Sequence, residues 1–180
     1  MRNITLRSSY ETLSVLQVYS MPNVSILEKA DYGFCGHSTI NHDYDPKALR
    51  GDKVVVDNAT GLMWHQSGCD KKFKLKKAAK WIEQLNNSGY AGYHDWRLPT
   101  VDEAASLLEQ NMKTSSQYGG MYIDPVFSNK QAVIWTGDPI DEDVVFGRGA
   151  AWRVDFLNGL VHNRHIHISS YFVRPVRSVE

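Results

Sequence analysis

Cysteine is nearly absent from this chain of 180 residues: Cys35 and Cys69 are the only two. That excludes a disulfide-built scaffold and leaves stability to a hydrophobic core. One bridge between them is conceivable, but two reduced thiols are the expectation. Long apolar runs are missing too, so no membrane insertion is expected. Met1–Arg7 lacks the apolar stretch of a secretory signal, which makes the cytoplasm the default compartment. A cell-surface or secreted location is expected only if the chain is part of a longer one. Charge of one sign is also lacking, with Lys plus Arg at 20 and Asp plus Glu at 20. Without a basic excess, general nucleic-acid binding is not expected. There is no Gly-x-Ser-x-Gly elbow, phosphate loop or dinucleotide fingerprint, and no internal repeat.

What the chain does have is patterned. Lys53-Val54-Val55-Val56 and Leu62-Met63-Trp64-His65 flank the turn residues Asp57 to Gly61 and predict a β-hairpin. Leu75, Ala78, Ala79, Ile82 and Leu85 recur at helical spacing up to Asn86-Asn87-Ser88-Gly89. A second helix is predicted from Thr100, with Val101, Ala104, Ala105, Leu108 and Met112 on one face. The second half reads as short strands. Val133 to Thr136 is one, and Trp152, Val154 and Phe156 alternate with Arg153 and Asp155 in the pattern of a half-buried antiparallel strand. Asn158-Gly159 is the strongest hairpin signal, read as a turn in which both residues take positive φ. Tyr171 to Val176 closes the sheet, with Pro175 at an edge or bulge. Helices followed by strands indicate an α+β fold. Residues 1–51 read as an accessory segment packed on a main domain of residues 52–180. Within it, a short helix is expected in 9–21, and 31–50 reads as loop with room for one short strand.

The most informative stretch is Asp95-Trp96-Arg97-Leu98-Pro99-Thr100-Val101-Asp102-Glu103. Thr100 and Glu103 have capping-box spacing, and Asp102 and Glu103 suit the positive end of a helix dipole. Together with Asp57-Asn58-Ala59-Thr60-Gly61-Leu62-Met63-Trp64, Gly92-Tyr93, Ile123-Asp124-Pro125, Ile134-Trp135-Thr136, Ala151 to Gly159 and Val173-Arg174-Pro175-Val176-Arg177, it resembles the DUF1566, or Lcl C-terminal domain, family over roughly 52–178. The resemblance implies a C-type-lectin-like fold related to the formylglycine-generating enzymes: two helices, a twisted, mainly antiparallel sheet and an irregular C-terminal half. Those enzymes work through a cysteine pair in the C-terminal half. This chain has no cysteine after Cys69, so that activity is not carried over.

Four groups of residues are candidates for chemistry. His162, His165 and His167 lie close in sequence, and in an extended segment His165 and His167 would share a face. Two imidazoles so placed can begin a zinc site, but a third or fourth ligand is normally needed, so a polar outer strand face is the plainer reading. Lys74, Lys76, Lys77 and Lys80, with Lys71 and Lys72, crowd the start of a helix, where cations oppose the dipole. They form either a solvated face or a patch for an anionic ligand. Asp138, Asp141 and Asp143 gather in an acidic loop that could hold calcium through oxygen ligands, although the EF-hand spacing is absent. His65 with Cys69 could be a thiol–imidazole pair, though only sequence places them together. No other cofactor is implied. The tryptophans Trp64, Trp96, Trp135 and Trp152 are expected in the core, and Arg97 and Arg174 are expected partly buried against carboxylate or carbonyl partners.

The leading expectation is therefore a non-enzymatic recognition module for a protein or glycan. Its binding surface would draw on Arg148, Arg153, Asp155, His162, Asn163, Arg164, His165, His167, Ser169, Ser170 and Tyr171, a mixture of adaptable polar groups and an aromatic. The family resemblance implies two refinements: adhesion to polyanionic glycans through the lysines, and a variable protein of a diversity-generating retroelement. The alternative is a metal-dependent protein or enzyme using the three histidines or the acidic loop.

Overall fold

Val54, Val55 and Val56 are flanked by turn residues, and in the computed structural model they form a strand that pairs in register with Leu62–His65 as anticipated. The structure describes residues 4–116, 119–140 and 149–179. In chain order the elements are α1 (Val15–Tyr19), β1 (Val24–Ala30), β2 (Gly33–Ser38), β3 (Tyr44–Leu49), β4 (Asp52–Asp57), β5 (Leu62–His65) and α2 (Leu75–Ser88). A 3₁₀ turn at Tyr90–Gly92 follows, then α3 (Val101–Ser106), β6 (Thr114–Ser116), β7 (Gly119–Met121), β8 (Val133–Pro139), β9 (Ala150–Asp155), β10 (Leu160–His165) and β11 (Val176–Ser178). The strands form a five-stranded sheet β1-β2-β10-β9-β8, a four-stranded sheet β11-β5-β4-β3 and the small pair β6-β7. All named pairings are antiparallel, so the fold is α+β.

Residues 31–50 depart from expectation. They hold two strands, β2 and β3, where a loop with a short strand was anticipated. β2 lies between β1 and β10, and β3 pairs along the whole of β4. The early segment is thus woven into both sheets. Its strands escape sequence patterning because Gly33, Gly36 and Ser38 replace β-branched residues in β2, and β3 is an edge strand that tolerates Pro46.

The helices follow their caps. In α1, Ser14 and Gln17 make a reciprocal capping box. In α2, Ala78 and Ile82 are buried as expected, while Ala79 is exposed and Trp81, outside the anticipated apolar face, packs toward the core instead. Gly89 (φ 68°) ends the helix. The second anticipated helix, α3, begins as predicted with the Thr100–Glu103 box but stops at Ser106. Leu108 then gives its carbonyl to Ser38 N, and Glu109 N bonds Tyr122 O, so the chain leaves the helix to meet β2 and the β7 region. Met112 is consequently exposed rather than on an apolar helix face.

All six residues of α3 are buried, and the helix packs on β2, β8 and β9. Around it gather Phe34, Ile134, Trp152, Val154 and Val161, alternate residues of the five-stranded sheet. Trp64, Trp96, Trp135 and Trp152 are at most 2% exposed, so the tryptophans are core residues as expected. Each buried aromatic of this size contributes on the order of 3 kcal/mol or more. The β9–β10 connection also differs from the anticipated two-residue turn. Asp155 pairs with Leu160, leaving four residues between, and only Gly159 (φ 65°) has positive φ.

Candidate functional site

The frame around the Trp-Arg-Leu-Pro-Thr segment uses up its charges internally. Arg97 donates to both oxygens of Glu103 at 2.7 Å, and Glu103 also accepts Thr100 N at 2.8 Å. Asn86 fixes Trp96 from both sides, accepting its N–H and donating to its carbonyl. Arg174 is fully buried, with Gln66 O and Ser128 O as carbonyl acceptors and the Phe127 ring 5.1 Å from its guanidinium. Burial lowers its pKa below the ordinary arginine value. Both arginines thus have the carbonyl or carboxylate partners expected of them.

Asp138 belongs to the same frame. It is fully buried, takes two bonds from Arg7 at 2.9 and 2.7 Å, and accepts Val101 N and Glu11 N. Its oxygens are therefore committed to the start of α3 and to the N-terminal segment, which corrects its reading as a calcium ligand. Asp141 and Asp143 lie outside the described residues, as does Arg148. Among the described residues no three His, Cys, Asp or Glu side chains gather as a metal site.

The outer face of the five-stranded sheet carries a row set by strand register: Gly33, His162, Arg153 and Trp135. Tyr171 meets Trp135 edge to face at 4.8 Å, and the Arg153 guanidinium lies 4.9 Å from the Tyr171 ring centroid. Arg153 is only 7% exposed and pairs with Asp155 at 3.3 Å. Asp155, also buried, accepts Leu157 N, Asn158 N and the Asn158 amide, so it shapes the turn. Asn163 donates its backbone N–H and its side-chain amide to Tyr32 O. Arg153, Asp155 and Asn163 are therefore packing and turn residues rather than displayed ones, and β9 is buried on both faces where alternation predicted one. The cause is Tyr171 together with the 156–159 connection, which cover that face.

The histidines part company. His162 is half-buried in β10, and both ring nitrogens are buried without a hydrogen-bond partner among the described residues. Burial, with Arg153 and Arg164 nearby, lowers its pKa to about 4, so it is neutral at pH 7. His165 ends β10, and His167 sits beyond it in an exposed turn closed by Ser169 N on His165 O. The shared strand face expected for His165 and His167 does not form. His65 and Cys69 are likewise no catalytic pair: His65 Nδ1 accepts Gly68 N, whereas the Cys69 thiol donates to Lys71 O and accepts Val173 N. Both cysteines are free thiols.

Displayed groups remain in two places that the fold joins. Lys71, Lys72, Lys74, Lys76, Lys77 and Lys80 are all exposed, and none has an ion-pair partner among the described residues. Phe73 and Tyr171 exchange backbone hydrogen bonds at 2.8 and 3.0 Å. That bridge brings the lysine segment against Ser169, Ser170 and Tyr171, with Lys72 Nζ 5.7 Å from the Phe172 ring centroid. Arg164 lies at the end of β10, and His167 and Ile168 lie in the turn after it, Ile168 being 71% exposed. Sequence reasoning named both groups but missed that they adjoin, because one bridge across a hundred residues has no local signature. It also missed Arg7 and Asn86, whose partners are equally distant.

The result is an α+β frame whose signature arginines and carboxylates are paired internally, with a cationic, polar surface at one place. The chain belongs to the Lcl C-terminal domain family, whose sequence model matches residues 53–177. Comparison with curated proteins and with solved structures gave no match. Among the described residues no helix is long and apolar enough to cross a membrane.

Proposed function

We propose that this domain is a non-catalytic recognition module that binds a polyanionic partner, a sulfated or otherwise acidic glycan, and serves adhesion. The supporting observation is the Phe73–Tyr171 bridge. It merges six exposed lysines, without acidic partners among the described residues, and residues 164–171 at the end of β10 and beyond into one surface. Unpaired lysines at and just before the start of α2 provide point charges for sulfate or carboxylate groups, and the attraction is screened by salt. The C-type-lectin-like frame implied by the family resemblance fits this division between a closed core and a displayed face.

The test is retention on a heparin-like matrix. The wild-type chain should be held and released by salt, and the triple variant Lys76→Glu, Lys77→Glu, Lys80→Glu should pass through. Equal elution of the two would remove the proposal. Should the chain also be a variable protein of a diversity-generating retroelement, substitutions in a population will concentrate on Arg164 to Ser170. They will spare Arg153, Asp155 and Asn163, whose side chains hold the fold.

A further inference from the structure

Residues 4–13 cross the surface as an extended strap outside the family-matched residues and end one residue before the α1 cap Ser14. Between Arg7 and Leu13 the strap is gripped at three points three residues apart. Arg7 enters a pair of carboxylates, Asp102 and Asp138, which are 8% and 0% exposed. It donates to Asp102 at 3.1 and 2.5 Å and to Asp138 at 2.9 and 2.7 Å, while its own carbonyl accepts the Thr100 hydroxyl at 2.8 Å. Burial opposes its charge, but the bonds to Asp138 and Asp102 outweigh this and raise its pKa above the ordinary arginine value.

Tyr10 comes next. Its ring lies on Gly137, where a Cβ would stand 2.2 Å from a ring carbon, and its hydroxyl donates to Leu98 O at 3.0 Å. Leu13 is the third anchor. It is buried, bonds Pro139 O through its N–H at 3.0 Å, and accepts the Trp152 indole N–H at 3.1 Å. Between the anchors Ser8, Ser9, Glu11 and Thr12 are exposed. Alternating side-chain anchors and solvated residues along an extended backbone is how a bound peptide is held, with pockets giving specificity.

Every receiving group lies within the matched domain: Leu98, Thr100, Asp102, Gly137, Asp138, Pro139 and Trp152. Two adjacent buried carboxylates without a cation would be costly, and the forked guanidinium of Arg7 reaches both at once, so this groove favours an arginine. We propose that the groove between residues 98–102 and 137–140 is a peptide-docking site, filled in cis by residues 4–13. In trans it accepts an extended polypeptide carrying arginine, tyrosine three residues later and leucine three after that. The strap is then a competitor that any such partner must displace.

The test begins with the folded full chain carrying a protease recognition sequence between Leu13 and Ser14. After cleavage and removal of the strap, a fluorescent peptide of residues 4–13 is titrated in. Saturable one-to-one binding is expected. The same peptide with Arg7→Glu should bind at least about tenfold more weakly, as loss of a buried charge pair requires. Gly137→Ala in the cleaved protein should also weaken binding, and the uncut chain should bind little because its groove is filled.

Equal binding of the two peptides, equal binding to cut and uncut chains, or unfolding on strap removal would each overturn the proposal. If the insertion itself prevents folding, the intact Arg7→Ala, Tyr10→Ala chain takes its place in the same titration. Absence of binding there overturns the proposal as well.

Discussion

The charges around Thr100 and the lysines of residues 71–80 are handled in opposite ways. Around Thr100, Arg7, Arg97, Asp102, Glu103 and Asp138 form a closed set. Each guanidinium has a carboxylate, and each carboxylate also takes a backbone N–H or a second bond to its arginine. Across residues 71–80 six exposed lysines, three of them in α2, have no carboxylate partner among the described residues. Paired, buried charge fixes a geometry and is costly to disturb, whereas unpaired exposed charge contributes little to folding and is open to a ligand. The family signature thus marks the part of the molecule least suited to bind a soluble anion.

The sharpest way to break this contrast is to exchange one residue of each kind. Glu103→Ala strands Arg97 and leaves Thr100 N without its acceptor. It should cost roughly 3 kcal/mol, read as a lowered urea midpoint with an unchanged slope. The Lys76→Glu, Lys77→Glu, Lys80→Glu variant should lose all retention on a polyanion while its unfolding free energy falls no more than about 0.5 kcal/mol below wild type. A large stability loss in the lysine variant would mean that these side chains serve the fold after all.

Acidity gives a second, smaller probe of the frame. His65 is 6% exposed and stacks on Tyr90 at 4.2 Å. Burial, with Arg174 nearby, lowers its pKa from 6.5 to about 4. The unfolded chain therefore binds the proton first. Stability is full above pH 6.5, falls as pH drops toward 4, and loses up to roughly 3 kcal/mol from this residue. His162, also shifted downward, acts in the same direction, but being half exposed it counts for less. Urea midpoints between pH 7 and 5 isolate the histidines from carboxylate titration. His65→Gln should flatten that slope, and an undiminished slope would assign it elsewhere.

The elements that could be read from sequence were those whose cause is local. The β4–β5 hairpin, the span of α2 and the Thr100 cap follow from spacing and turn chemistry within a dozen residues. So did the core tryptophans, because apolar area has few other places to go. β2 was missed since its glycines carry no strand pattern, and α3 was overrun because Leu108 is claimed by β2 from seventy residues away. The same limit governed the site. The residue types at 71–80 and 162–171 were visible, but the burial of Arg153, Asp155 and Asn163 was not. Alternation assumes a solvated outer face, and here Tyr171 covers it.

One position carries both halves of the comparison. Lys74 is the N-cap of α2, makes no side-chain cap bond, and places a cation at the positive end of the helix. Serine would accept a first-turn N–H there and remove the unfavourable charge, so Lys74→Ser should stabilise the protein by about 1 kcal/mol. If the residue is there for its ligand, the same variant will elute earlier from a polyanion column while melting higher. A variant that melts higher and elutes unchanged would exclude Lys74 from the binding surface and confine the patch to Lys76, Lys77 and Lys80. A variant that melts no higher would show that the helix start is already satisfied by solvent. The two readouts move in opposite directions only if this surface has been kept cationic at the expense of its own helix.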